Sequence, residues 1–184
     1  QVGKIYEYDL STAYDVSTVT GYVDSPVLGT GFTDFKWKPD GTEAYVISFG
    51  NSTVYTLTPS TPWDVTTLAF NTAGWVGVPS AQYTGLAFND DGTMLFLLAQ
   101  VDRSLHAYNL STAWEVATAT YANTSLGVAS LVGAGDPRTA ANADYLQSVE
   151  FSASGHKCFI TNYNSTATSP NNAVFEIDLA TAWD

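Results

Sequence analysis

Apolar and aromatic residues fall along the chain in short runs, broken by glycine, aspartate and asparagine, and one grouping recurs. Residues 35–47 read FKWKPDGTEAYVI, residues 86–98 LAFNDDGTMLFLL, and residues 149–160 VEFSASGHKCFI. In each, two apolar runs flank a polar segment ending in glycine (Gly41, Gly92, Gly155). This is a hairpin pattern, since glycine takes positive φ without steric cost. Asp40-Gly41 and Asp91-Gly92 predict two-residue turns, and Ser154-Gly155 a softer version. A third run follows each hairpin (STVYTLT, RSLHAYNL, NAVFEIDL), then a linking phrase. Fourth runs follow the links (TVTGYVDS, TLAFNTAGWV, TATYANTSL). The unit is therefore four short strands, A to D. The B runs AYVIS and MLFLLA lack alternation, as expected of strands covered on both faces. Frequent Thr, Val and aromatic residues, with regular Gly and Pro, predict no helix longer than a turn.

The link is nearly constant: LSTAYDV at 10–16, PSTPWDV at 59–65, LSTAWEV at 110–116 and LATAWD at 179–184. Asp15 and Asp64 are 49 residues apart, and Asp64 and Glu115 are 51 apart. Propeller blades are four-stranded antiparallel sheets repeating about every 40–50 residues. The expected fold is all-β: propeller blades over residues 1–28 (partial), 29–80, 81–130 and 140–184 (partial). About three repeats cannot close a ring of the usual four to eight. The chain is thus expected to belong to a larger propeller or to one completed by copies of itself. A residue recurring in every unit is read as structural. Asp15, Asp64, Glu115 and Asp184 should cap the link by accepting backbone N–H bonds. Tyr14, Trp63, Trp114 and Trp183 should pack between blades.

The stretches GLAFNDDGTMLFLL and LHAYNLSTAW resemble the A–B–C signature of lactonase-like and surface-layer-like propeller repeats. YDLSTAYDVSTVT is similar to repeats in propeller proteins of marine phages and bacteria, carried on virions or cell surfaces. The resemblance covers nearly the whole chain. It implies a propeller in an extracellular, cell-surface or virion setting, and is nearly silent on chemistry. Trp63-Asp64 and Trp183-Asp184 lie in the C–D link rather than closing strand C, which argues against a WD40 domain.

Charge narrows the partners. Eighteen acidic residues stand against six basic ones, a net charge of −12 over 184 residues. Nucleic acid is excluded as a partner, and anionic membrane surfaces are disfavoured. No apolar run approaches the roughly 20 residues of a membrane-spanning helix. The single cysteine, Cys158, sits in an apolar run and reads as a small buried hydrophobe.

Loop lengths locate a candidate recognition surface. Up-and-down strands put A–B turns and C–D links on one rim, and B–C and D–A loops on the other. The added residues of the later unit fall at 164–172 (B–C) and 122–144 (D–A), both on the second rim. Loops on a rigid scaffold are where recognition concentrates. Asp136, Arg138 and Asp144 are the candidate ligand-binding residues there. Four N-x-S/T sequons, Asn51, Asn109, Asn123 and Asn164, are candidate N-glycosylation sites. Asn51 and Asn164 are placed in B–C loops and Asn123 in the long D–A loop.

Catalytic signals are sparse. His106 and His156 have no metal-ligand spacing, and no nucleophile elbow or phosphate loop is present. No cofactor is expected. Asn89–Gly92 could offer oxygens to Ca2+, but lacks an alternate-residue ligand series, so the plain hairpin reading is preferred. Asp34 and Glu150, on A strands, could approach the propeller axis. The expected function is a non-enzymatic structural or adhesive module of an extracellular or virion-surface fibre, binding glycans or proteins. The alternatives are a lactonase-like metal-dependent hydrolase and a protein-interaction scaffold.

Overall fold

The computed structural model describes residues 3–71, 74–76, 82–128, 144–164 and 173–183. Fourteen short strands form four antiparallel sheets. Blade I pairs β1 (Tyr6–Leu10) with β2 (Val19–Asp24). Blade II orders β3 (Phe32–Trp37), β4 (Ala44–Ser48), β5 (Thr53–Pro59) and β6 (Leu68–Phe70). The fourth run of blade II is not one strand: β7 (Trp75–Val76) also pairs with β5, beyond the end of β6. Blade III orders β8 (Tyr83–Phe88), β9 (Met94–Ala99), β10 (Ser104–Leu110) and β11 (Ala119–Gly127). Blade IV orders β12 (Asp144–Phe151), β13 (Lys157–Asn164) and β14 (Ala173–Asp178). Single 3₁₀ turns start at Val16, Val65 and Val116. These are the A–B–C–D units of a β-propeller.

The A–B connection differs from the two-residue turn expected. Lys38 N–H donates to Glu43 C=O at 2.9 Å, and Gly41 N–H to Lys38 C=O at 2.9 Å, so residues 39–42 form a four-residue loop. Asn89/Met94 and Ser152/Lys157 close identical loops. Only the glycine in each needs positive φ (+71°, +72° and +70°). The aspartate serves instead as an acceptor: Asp40 bonds the amide and hydroxyl of Thr42, and Asp91 those of Thr93. The hydroxyl bonds, then the amide bonds, hold both carboxyls below their ordinary pKa.

The link lies directly over this loop. The backbone N–H groups of Trp63, Trp114 and Trp183 donate to the Gly41, Gly92 and Gly155 carbonyls at 3.0, 2.8 and 2.9 Å. A Cβ on those glycines would stand 2.4, 2.2 and 2.2 Å from the indole. The indoles also pack on their own A strand: Trp63 on Trp37, Trp114 on Phe88, Trp183 on Phe151. Packing between blades, as expected, is also made: Trp114 lies against the cluster joining blades II and III, and Trp183 against the one joining blades III and IV. Trp183 does reach Phe96 of blade III, while Tyr14 is almost fully exposed. The expected capping holds for Asp15 and Asp64, which accept the amides of Ser17 and Thr66. Glu115, one methylene longer, makes no side-chain cap bond. Asp184 lies outside the described residues.

The core is built between blades. Every residue of β4 is buried, as are residues 95–99 of β9. Tyr45, Ile47 and Val54 of blade II meet Tyr83, Leu97 and Tyr108 of blade III in one cluster. Ala87, Phe96 and Leu98 of blade III meet Val149, Cys158 and Ile160 of blade IV in another. Cys158 is fully buried, as read from the sequence, and burial pushes its thiol up to about 12. Blade I presents the same repeat positions uncovered. Tyr8 is 57% exposed where Leu57 and Tyr108 are 0%, and Val16 is 79% exposed where Val65 and Val116 are 2% and 3%.

Candidate functional site

The A strands of blades II, III and IV lie side by side, so their polar residues are the first candidates for chemistry. Each A strand carries one extra residue against its B strand: Thr33, Thr84 and Gln147. Such bulges re-aim the side chains beside them. Beside the first bulge, Asp34 Oδ2 accepts the Leu86 N–H of blade III at 3.0 Å, and Oδ1 accepts the Phe35 N–H at 2.8 Å. At the corresponding position of blade III, Gly85 has no room for a Cβ, which would stand 3.0 Å from Ser148 Cα of blade IV. One blade junction is thus bridged by a carboxylate, and the next closes backbone on backbone. Lys36 and Glu150, from blades II and IV, form an ion pair.

Burial raises the Asp34 carboxyl above its ordinary 3.8, against the opposing pull of its amide bonds and Lys36. A raised folded-state pKa means the group favours the folded state most at low pH, below 3.8. That contribution is lost as pH rises through the higher folded value. Asp34→Asn keeps an acceptor oxygen and removes the buried charge. Its NH2 would face the Phe35 N–H, so the variant should lose some stability at pH 7 but less than the Ala variant, and flatten the profile in this window. Asp34→Ala leaves the Leu86 N–H unpaired and should cost about 1–3 kcal/mol. Urea unfolding of the three proteins at pH 7 and pH 4 checks this; equal stability of the Ala and Asn variants would contradict it.

The histidines lie apart from these groups. His106 is buried in β10, its Nε2 2.8 Å from Asp102 Oδ2. His156 sits in an A–B loop, its Nδ1 3.4 Å from the Leu179 carbonyl. Among the described residues no three His, Cys, Asp or Glu side chains cluster as metal ligands. In the Asn89–Gly92 loop, the Asn89 and Asp91 side chains bond Met94 and Thr93 within the hairpin.

On the longer-loop rim, Asp136 and Arg138 lie outside the described residues. Asp144 opens β12. Asn51 is in the B–C turn as expected, and Asn164 closes β13. Asn109 is an exposed position of β10. Asn123 is not in a loop. It lies within β11 at φ +57°, where residues 122–124 bulge opposite Ala107. The same rim carries a pocket of about 410 Å³ that the sequence did not reveal, lined by Phe32, Ser48, Asn51, Tyr55 and Phe70. Its three rings form one cluster, with centroids 6.0 Å (Phe32–Tyr55), 6.1 Å (Phe32–Phe70) and 5.4 Å (Tyr55–Phe70) apart. Asn51 Nδ2 donates to the Tyr55 hydroxyl at 2.7 Å. A larger groove, about 690 Å³, separates β1 from β3.

Two solved structures share this architecture. A protein from Lactobacillus plantarum superposes with a TM-score of 0.50 at 18% identity, over 88% of this chain and 46% of that one. A protein from Bacteroides fragilis, described as a "putative 6-phosphogluconolactonase", superposes with a TM-score of 0.50 at 12% identity, over 96% of this chain and 49% of that one. At such identities the likeness is one of fold. The chain spans about half the length of the solved structures it matches. No protein-family model and no curated protein matches the chain.

Proposed function

We propose that this chain is a non-enzymatic β-propeller module, structural or adhesive, of an extracellular or virion-surface fibre. Its longer-loop rim recognises glycans or proteins. The observation that supports this is the use of the inner-strand polar groups. Asp34 accepts from Leu86 and Phe35, and Glu150 pairs with Lys36, so these two A-strand carboxylates join one blade to another. The partners on the open side of blade I are further propeller repeats or copies of the chain. Tyr8 and Val16 support this, being exposed at positions buried in blades II and III. A second reading, a lactonase-like hydrolase, draws on the fold shared with the Bacteroides fragilis protein.

The two readings separate in one assay. Purified full-length protein, with its metal content measured, is incubated with a 6-phosphogluconolactone and with simple esters. Turnover at the uncatalysed rate is expected. Metal-dependent hydrolysis, lost on chelation and restored by the metal, would overturn the non-enzymatic reading.

A further inference from the structure

We infer that the pocket formed by Phe32, Tyr55, Phe70 and Asn51 binds one neutral sugar ring at the end of a glycan. This rests on the recognition role proposed for its rim, and gives that role a site and a ligand class. The pocket takes an aromatic ring from strand A (Phe32), strand C (Tyr55) and strand D (Phe70), with Asn51 from the B–C turn. Phe70 is 43% exposed, so part of its ring surface is open to a ligand.

The polar groups decide the ligand class. Ser48, Asn51 and Tyr55 present a hydroxyl, an amide and a phenol, and none of the described residues lining the pocket is charged. A wholly apolar ligand would strip water from these groups without replacing its hydrogen bonds. A phosphorylated or acidic sugar would find no cation, on a protein of net charge −12. A neutral sugar offers C–H faces to the rings and hydroxyls to the amide and phenol. The volume, about 410 Å³, falls near the lower end of the roughly 300–1,000 Å³ of small-ligand pockets. It suits a single ring rather than a long chain.

The bond from Asn51 to Tyr55 orders the site. With its oxygen accepting from Asn51 Nδ2, the phenol keeps its proton for a ligand oxygen. Asn51, the residue of a glycosylation sequon, here acts as a recognition group whose side-chain nitrogen is already engaged.

The test uses purified full-length protein on an array of neutral mono- and oligosaccharides, followed by calorimetric titration of the best binder. Phe70→Ala should weaken binding at least tenfold. Tyr55→Phe, which removes one hydroxyl and keeps the ring, should weaken it severalfold without shifting the melting temperature. Binding that survives both variants but is lost on deleting residues 129–143, between β11 and β12, would overturn this pocket and leave the recognition rim standing. Binding of no neutral sugar, or of charged sugars alone, would also overturn it.

Discussion

Gly92→Ala is expected to destabilise the chain by about 2–5 kcal/mol. Two costs combine. The backbone at Gly92 has φ +72°, where an L side chain costs about 1–2 kcal/mol. The new Cβ would also stand 2.2 Å from Trp114 Cε2, and overpacking of this kind costs about 1–3 kcal/mol. Trp114 cannot simply swing away. Its ring is packed on Phe88, and its backbone is pinned by the bond from its main-chain N–H to the Gly92 carbonyl and by the Tyr45 hydroxyl of blade II, which donates to its main-chain carbonyl at 2.8 Å. Gly21 is the control: a Cβ there meets nothing within 4 Å, so Gly21→Ala should stay within about 1 kcal/mol. Urea unfolding of both variants checks the pair. A double variant, Gly92→Ala with Trp114→Ala, should cost less than the sum of its parts, because removing the indole removes the clash. A near-neutral Gly92→Ala would mean the indole does not cover the turn.

The strands and the order of the hairpins were legible because a two-faced apolar run and a glycine turn are local signals. What needed the three-dimensional structure was adjacency. The repeated tryptophan and the repeated glycine were both plain in the sequence, yet Gly92 and Trp114 meet only once strands B and C have been laid down between them. The repeated tryptophan serves the blade junction and also covers its own turn, and repetition alone points only to the first. The turn length was misread for a related reason. Asp-Gly suits a two-residue turn, but Asp40 and Asp91 act as acceptors within four-residue loops, so only glycine needs the left-handed region. The repeat spacing puts Asn123 among the added residues of the D–A loop at 122–144, whereas residues 122–124 are taken up as a bulge inside β11. The rings of the rim pocket come from three strands, and the repeat carries rings at the same positions in blade III (Tyr83, His106, Tyr121) but Gly21 at that of Phe70 in blade I. What the repeat does not show is the open volume beside the blade II rings.

The second large effect concerns one repeat position in two blades. Tyr108→Ala should cost about 3–5 kcal/mol, the range for truncating a large buried ring. Tyr108 is fully buried on blade III, edge-on to Trp75 of blade II at 4.9 Å, and its hydroxyl lies 2.9 Å from that of Tyr83. Burial, then the bond to Tyr83, raises its phenol pKa well above the ordinary 10.0. Tyr8 holds the equivalent position on blade I, where its ring meets Tyr22 at 5.9 Å and is otherwise largely in water. Tyr8→Ala should cost about 1 kcal/mol or less. The measurement is urea unfolding of the 184-residue chain carrying either substitution. If the sheets are stabilised by neighbours pressed against their faces, the blade III change unfolds the protein at much lower urea and the blade I change barely moves the midpoint. Equal losses from the two would contradict the account.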